Sequence, residues 1–552
     1  MADIESIVKP RVENYNLEAY KEFMRKYMEK FADAPEQEIQ KEFDKFKMKM
    51  SRVYRITFAH TGILYAYRVM CAEQEFIFDQ KHGNIFKKKA MRSQSGVMVL
   101  TIFTSDKPFG QKFTCDNDCY YCPNEPGQPR SYLMKEPGVS RANRYEFDSI
   151  RQVRGRATDY IQMGLQVDKI ELLILGGTVS SYPKEYIVEF IRDAYYGLNT
   201  FFTGEREKLS LDEERRINES NKMCRIIGVT LETRPDRINP KELIWFRSMG
   251  VTRVQIGVQH IDDRVLYRVN RGCKTSHTIN AIRLLKNCGF KVDIHIMLDL
   301  PKPLNDGVDN KKEQFEIDDI DQSVNMVELD RWMLNEIKTN QLLKADQYKL
   351  YPCQTTTFTR ILDEYNRKVY EPYGGDANKL TEVIIEFLDG LGPDWRGNRI
   401  IRDIPVSVYV KAGVTVANLR QVIDDEIRKR GIKCMDMRFR EIKLAKIDPT
   451  CAVLKERTFM GSDGIDHFLS FESEDEAKLF GFLRLRFSEL AGKHKTLSGS
   501  TITVFPELVN CALIRELHVY GKMVSISPGN TDAQHVGLGT KLLNRAFEVA
   551  KE

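Results

Sequence analysis

Three cysteines fall within eight residues, Cys115-Asp116-Asn117-Asp118-Cys119-Tyr120-Tyr121-Cys122, and they are the most specific chemical signal in the chain. Thiolates separated by three and then two residues can hold three corners of a 4Fe–4S cube. A tight loop brings the sulfurs to one centre and leaves the fourth iron open to a substrate. A zinc site would close its tetrahedron with a second Cys or Cys/His pair. None follows nearby, because Cys224, Cys273, Cys288 and Cys353 are scattered singles. Cys353, Cys434 and Cys451 read as ordinary scattered thiols before they read as a second metal site.

Two glycine patterns stand apart from the triad. Gly176-Gly177-Thr178 closes a buried-strand run, where the missing Cβ lets backbone approach a ligand closely. Gln534-His535-Val536-Gly537-Leu538-Gly539-Thr540 precedes an apolar helix. Unpaired N–H groups and the positive dipole end at such a helix start suit a pyrophosphate. Either pattern alone is a weak signal. Glu232, Arg234 and Gln259 end later strands, and each reads equally well as a ligand contact or as an ion-pairing or hydrogen-bonding residue of the fold.

The elements that must carry these groups alternate between strand and helix. Strand-like runs at residues 97–102, 169–175, 226–232, 253–259 and 291–297 are separated by helical sequence such as 182–196 and 275–288. That order predicts an α/β fold, a parallel sheet closed into a partial TIM-like barrel, with ligands at the C-terminal strand ends. Residues 302–342 are polar and acidic and are expected to form a lid-like insertion with a helix outside the core. Short strands after about residue 440, then a final helix from about Gly537, predict a separate α+β unit. The expected division is a helical, basic N-terminal region over 1–95, the barrel over 96–400, a linker over 401–450 and the last unit over 451–552.

Composition sets the outer limits. At 552 residues the chain exceeds one ordinary core, so roughly two to four structural units are expected. Lys plus Arg (84) against Asp plus Glu (79) leaves +5, which permits a nucleic-acid partner without arguing for one. No long apolar run and no signal-peptide pattern are present, so no membrane role and a cytoplasmic location are expected. Lys87-Lys88-Lys89-Ala90-Met91-Arg92 reads, taken alone, as a solvated loop.

The triad, with Tyr121 just before Cys122, resembles the radical S-adenosylmethionine superfamily, whose open iron chelates S-adenosylmethionine and whose glycine motif matches Gly176, Gly177 and Thr178. The loop at Gln534 to Thr540 resembles the CoA-pyrophosphate loop of the GNAT acetyltransferases, with the strand Leu513 to Tyr520 beside the pantetheine arm. The two halves together resemble the family of Elongator catalytic subunits. The shared blocks include Arg154-Gly155-Arg156, Val167-Asp168-Lys169, Glu232-Thr233-Arg234-Pro235-Asp236, Asn270-Arg271-Gly272 and Arg515-Glu516-Leu517-His518-Val519-Tyr520-Gly521.

That resemblance implies a tRNA uridine(34) carboxymethyl synthase using a 4Fe–4S cluster on Cys115, Cys119 and Cys122. S-adenosylmethionine would be bound by Gly176, Gly177, Thr178, Glu232, Arg234 and Gln259. Acetyl-CoA would sit against Glu516, Leu517, His518, Val519, Gln534, Gly537, Leu538, Gly539 and Thr540, with Lys169 placing the acetyl group near the radical centre. A deoxyadenosyl radical would take hydrogen from the acetyl methyl, the acetyl radical would add to carbon 5 of the wobble uridine, and thioester hydrolysis would leave the carboxymethyl group. Lys87, Lys88, Lys89 and Arg92 become tRNA-binding residues on this reading, positioned against phosphates of a tRNA presenting its anticodon loop. An electron donor and Elongator-like accessory subunits are implied partners.

Two departures from the family pattern stand out. The first cysteine spacing is shorter than usual in that family, and the chain stops at Glu552 where the family continues with further strands and a tyrosine. The GNAT-like unit is therefore expected to be incomplete. A lysine acetyltransferase with a structural iron–sulfur domain, and a catalytically dead tRNA-binding scaffold, are the competing readings.

Overall fold

The structure is a computed structural model that describes residues 15–87, 96–442, 447–496, 499–521 and 537–552. Its centre is a seven-stranded parallel sheet: β1 (Met98–Phe103), β2 (Lys169–Leu175), β3 (Arg225–Thr233), β4 (Val251–Gln259), β5 (Lys291–Ile296), β6 (Gln347–Leu350) and β8 (Arg396–Ile400). The strands pair in that order as a half-barrel. The missing number is β7 (Gln354–Thr356), which pairs antiparallel with β9 (Val410–Gly413) beside the strand ends.

Period-two alternation decides what each face of the sheet meets. Ile170, Leu172, Val229, Leu231, Val254, Ile256, Val292 and Ile294 form one face, buried against the covering helices. The intervening residues make the concave lumen, and most of them are polar, among them Glu171, Thr230, Glu232, Gln255, Asp293 and His295. Gln255 Nε2 donates to Asp293 Oδ2 at 3.0 Å, and Lys349 Nζ to Gln255 Oε1 at 2.7 Å. Asn398 Nδ2 donates to both Asp293 and Gln347. A lumen built this way is filled by hydrogen-bonded side chains midway along the strands.

Helix Met326–Thr339 corrects the expectation for residues 302–342. It is the crossover between β5 and β6, and Met333, Leu334 and Ile337 are fully buried in the barrel core. Polar loop residues on either side masked its apolar face. Residues 401–450 likewise are no extended connector: helix Leu419–Lys429 buries Leu419, Ile423 and Ile427 in the same core.

At the N-terminus, helices Leu17–Phe31, Glu36–Tyr54, His60–Ala72 and Gln80–Phe86 enclose an aromatic core of their own, including Tyr20, Phe23, Tyr27, Phe31, Tyr67 and Phe86. The sequence predicted a helix pair here, and the structure adds two more helices that cover its apolar side.

The C-terminal unit is an antiparallel sheet of β10 (Val453–Met460), β11 (Ile465–Glu472), β12 (Leu479–Phe487) and β15 (Leu513–Val519), packed on helix Leu538–Val549. A short hairpin, β13 (Lys493–Lys495) and β14 (Thr501–Thr503), lies between them. This unit docks on the end of the half-barrel where strands begin. The contacts are ionic and buried: Arg515 takes both oxygens of Asp346 at 2.6 and 2.7 Å, Arg484 and Arg253 hold Glu516, and Lys286 pairs with Asp466. A bulge in β15 at Arg515 lets two consecutive side chains, Arg515 and Glu516, both turn into this interface.

Candidate active site

The cysteine loop lies across the opposite end of the half-barrel, where strands finish. It has no regular secondary structure, and its shape is held by contacts from distant segments. The Tyr120 amide donates to Val269 O, the Tyr120 carbonyl accepts from the Ile361 amide, and the Tyr120 hydroxyl donates to Asn310 O. Asn270 Nδ2 donates to Asp118 O at 2.8 Å, and Arg360 covers the Tyr120 ring. Cys122 N donates to Cys119 O, closing the turn that carries the second and third thiols.

Each thiol has a polar neighbour. Cys115 Sγ lies 3.5 Å from Thr178 Oγ1. Arg234 Nη1 and Arg271 Nη1 approach Cys119 Sγ at 3.8 and 3.6 Å. Arg130 bonds Cys122, whose thiol burial pushes up while Arg130 opposes the shift. Three guanidinium groups around three thiols offset the negative charge that ligation creates, since only the thiolate binds a metal. Among the described residues no three Cys, His, Asp or Glu side chains converge as they would on one ion. A cluster asks for something else, because each cysteine of an iron–sulfur cube ligates a different iron. The donor set fits a 4Fe–4S cluster.

The glycine turn follows β2 directly beside the triad. Gly176 and Gly177 have φ of +150° and +90°, which L side chains rarely adopt. A Cβ on Gly176 would strike the Thr104 hydroxyl, and one on Gly177 would stand 3.1 Å from Arg130 O. Gln259, also at positive φ (+70°), ends β4 with its Oε1 buried and unpartnered. A backbone cradle and a spare acceptor beside the thiols fit the amino acid end of S-adenosylmethionine.

Other predicted residues are placed differently. Arg234 is buried, and its guanidinium is spent on Asp236, Arg271 O and Cys119. These bonds are those of the fold-supporting alternative, with the guanidinium bracing the cysteine loop. Glu232 is shared: Tyr132 OH donates to its Oε2 at 2.7 Å, and His295 Nδ1 lies 3.4 Å from its Oε1. Burial alone pushes this carboxyl up, but His295, Lys349 and Tyr132 more than offset that and leave it at about 2.

Lys169 is the first residue of β2, at the end remote from Gly176. Seven strand residues separate the two by about 20 Å. Lys169, expected to help place the acetyl group, therefore stands a strand's length from the glycine turn. It shares a strand face with Glu171, which pairs with Arg253 and through it reaches Glu516. Glu171, two residues on from Lys169, thus joins β2 to the interface with the C-terminal unit.

Within that unit, Glu516 and His518 share one face of β15 and Leu517 and Val519 the other. The Glu516 carboxylate pairs with Arg253 and Arg484 across the interface, which leaves only its backbone for the expected contact with acetyl-CoA. His518 stacks on Phe482, while Leu517 is exposed. Gly537 has φ +74° and caps helix Leu538–Val549, where Leu538 is buried and Thr540 exposed. A Cβ on Gly539 would contact Val519 at 3.5 Å, which joins the turn to the strand. Gln534 lies outside the described residues, as do Lys88, Lys89 and Arg92. Lys87 follows helix Gln80–Phe86 and donates to Asn84 Oδ1 at 3.2 Å.

Sequence reasoning assigned no role to Arg130, Arg271, Tyr132 or His295. A signal existed for the last: in Lys291–Ile296 the polar Asp293 and His295 alternate with valine and isoleucine, which puts both on the lumen face.

Comparison with known proteins places this geometry. Residues 113–307 match the Radical SAM superfamily. The tRNA uridine(34) acetyltransferase of Methanocaldococcus infernus is 31% identical over 528 residues, covering 93% of this chain and 89% of that protein. The Elongator complex protein 3 of Schizosaccharomyces pombe is 33% identical over 482 residues, covering 84% and 80%. The solved structure of the archaeal Methanocaldococcus infernus Elp3 with an N-terminal deletion superposes with a TM-score of 0.64 at 29% identity, covering 83% of this chain and 91% of that one.

Proposed function

Since the chain belongs to the family of the archaeal tRNA uridine(34) acetyltransferases and Elongator complex protein 3, we propose that it modifies carbon 5 of the wobble uridine of tRNA, using S-adenosylmethionine and acetyl-CoA. The observation that carries the reading is the meeting of Cys115 with Thr178, which sets a three-thiol loop against a glycine cradle at the mouth of a half-barrel.

When bound, a 4Fe–4S cluster and S-adenosylmethionine supply a 5′-deoxyadenosyl radical there. Cys115, Cys119 and Cys122 hold the cluster, and Arg130, Arg234 and Arg271 balance its charge. The backbone at Gly176 and Gly177 and the free Gln259 oxygen orient S-adenosylmethionine. Residues 451–552 form the GNAT-like acyl-CoA unit, with the Gly537 turn, Leu538, Gly539 and Val519 against the cosubstrate and Lys169 at its border with the barrel. The N-terminal region, including Lys87, receives tRNA phosphates, and accessory subunits of Elongator type complete the assembly.

The polar plug of Gln255, Asp293, Lys349 and Asn398 fills the lumen between mouth and floor. The acyl group on this reading reaches the mouth around the barrel or by displacing that plug.

The test is 5′-deoxyadenosine release by the anaerobically reconstituted, reduced protein given S-adenosylmethionine, tRNA and acetyl-CoA. Release that rises with both tRNA and acetyl-CoA and disappears in Cys119→Ala supports the reading. No release from protein with an intact cluster spectrum sinks it.

A further inference from the structure

His295 is a buried histidine with one nitrogen engaged and the other idle. It is carried near the end of β5, on the lumen face, and is 4% exposed. Nδ1 faces Glu232 Oε1 at 3.4 Å, and the second oxygen of that carboxylate is held by Tyr132. Nε2 has no partner although it is buried. A carboxylate at Nδ1 selects the tautomer with the proton on that nitrogen and leaves the lone pair on Nε2. The idle ring nitrogen shares the lumen with Asp293 Oδ1, which is likewise buried without a partner, and idle polar atoms of this kind mark a position kept for a reactant or a water.

The groups facing the ring define its state. Glu232 approaches from β3, Asp293 from its own strand and Lys349 from β6, and Tyr351 packs edge-on at 5.6 Å. Tyr132 stands behind Glu232, under Arg402. Burial, then Lys349, holds the imidazole below its ordinary range against the pull of Glu232, so it is neutral at neutral pH.

We infer that His295 is the general base that hydrolyses the CoA thioester after the acetyl unit has joined the uridine, with Glu232 as its positioning residue. The inference rests on the function proposed above, whose product bears a carboxylate where the acyl donor bore a thioester. In the step, a water O–H proton passes to Nε2 as the oxygen forms a bond to the thioester carbonyl carbon. The C–S bond then breaks, the CoA thiolate takes the proton from Nε2, and the carboxylic acid ionises to solvent. No electron is gained or lost. The arrangement is that of a base oriented by a third group, and positioned bases of this kind contribute about 100- to 10,000-fold.

The experiment measures, in the same reactions, 5′-deoxyadenosine, free CoA thiol and the modified nucleoside from tRNA, for wild type and His295→Gln. The expected result is a ratio of CoA thiol to 5′-deoxyadenosine that falls about 100-fold, with a CoA thioester of the uridine detected by mass spectrometry. Because the imidazole is held below its ordinary value of about 6.5, the wild-type ratio should stay flat through pH 6.5 and fall only in more acidic solution. An unchanged ratio in the variant, whether both rates hold or fall together, overturns the inference. So does a ¹⁵N-histidine spectrum of the wild-type chain showing the His295 proton on Nε2, a readout independent of turnover and of the variant's folding. Wild-type protein that releases no 5′-deoxyadenosine defeats the proposed function itself, which keeps the two failures apart.

Discussion

Cys115 Sγ lies 3.5 Å from Thr178 Oγ1, across 63 residues of sequence. The contact joins the cysteine loop to the turn after β2, so one hydroxyl links the metal-binding segment to the glycine cradle. Thr178 is buried, and Val could replace it without changing its volume. Thr178→Val should leave the fold intact and remove the hydrogen bond available to the thiolate. Groups that bond a metal ligand typically matter by 10- to 100-fold. We expect a loss of about 10-fold or more in 5′-deoxyadenosine release, with a more negative cluster potential in an EPR-monitored redox titration, because a donor to sulfur stabilises the reduced state.

Gly177→Ala should act on the cradle. Its φ of +90° and the Arg130 carbonyl 3.1 Å from a new Cβ both oppose a side chain. Strain of this kind costs about 1–3 kcal/mol. The expected outcome is protein that loads iron but binds S-adenosylmethionine weakly, measured by calorimetry. Undiminished affinity would remove the turn from the binding site.

At the other end of the barrel, Glu516 ties the C-terminal unit to the strand starts. Burial pushes its carboxyl up, but Lys291, Arg484 and Arg253 dominate and bring it to about 2. Folded protein therefore holds this group ionised where the unfolded chain protonates it. The stabilisation is complete above the ordinary glutamate value of about 4.3 and is lost as pH falls toward 2. Glu516→Gln should destabilise by about 3–5 kcal/mol at neutral pH, because it removes the buried carboxylate that Arg253 and Arg484 share and leaves them only Glu171 and Asp346. Urea unfolding at pH 7 and pH 3 should show the mutant's deficit shrinking at the lower pH.

Leu334 distinguishes a core helix from a lid. It is 2% exposed in helix Met326–Thr339. Leu334→Ala should cost about 2–5 kcal/mol in urea denaturation. A lid residue would leave the midpoint unmoved.

Local chemistry was legible in the chain itself. The spacing of Cys115, Cys119 and Cys122 pointed to a cluster, because it puts three thiols on one short loop. Strands β2 to β5 were legible because a parallel strand covered by helices needs a continuous apolar row, and Ile170 to Ile174 and Val254 to Val258 supply it. The helix Met326–Thr339 was missed because its buried face is only a few residues wide amid acidic loops.

What only the tertiary structure decided is which charged groups meet. Arg234 and Arg271 turning to Cys119, Lys169 standing a strand's length from Gly176, and Glu516 closing on Arg253 across 263 residues are all long-range pairings. A charged side chain in a sequence carries no sign of its partner, since the partner is fixed by sheet order and strand direction. Those emerge when the apolar rows of the strands find the helices that cover them. The same packing leaves one nitrogen of His295 idle, which the alternation that sets this residue on the lumen face does not show.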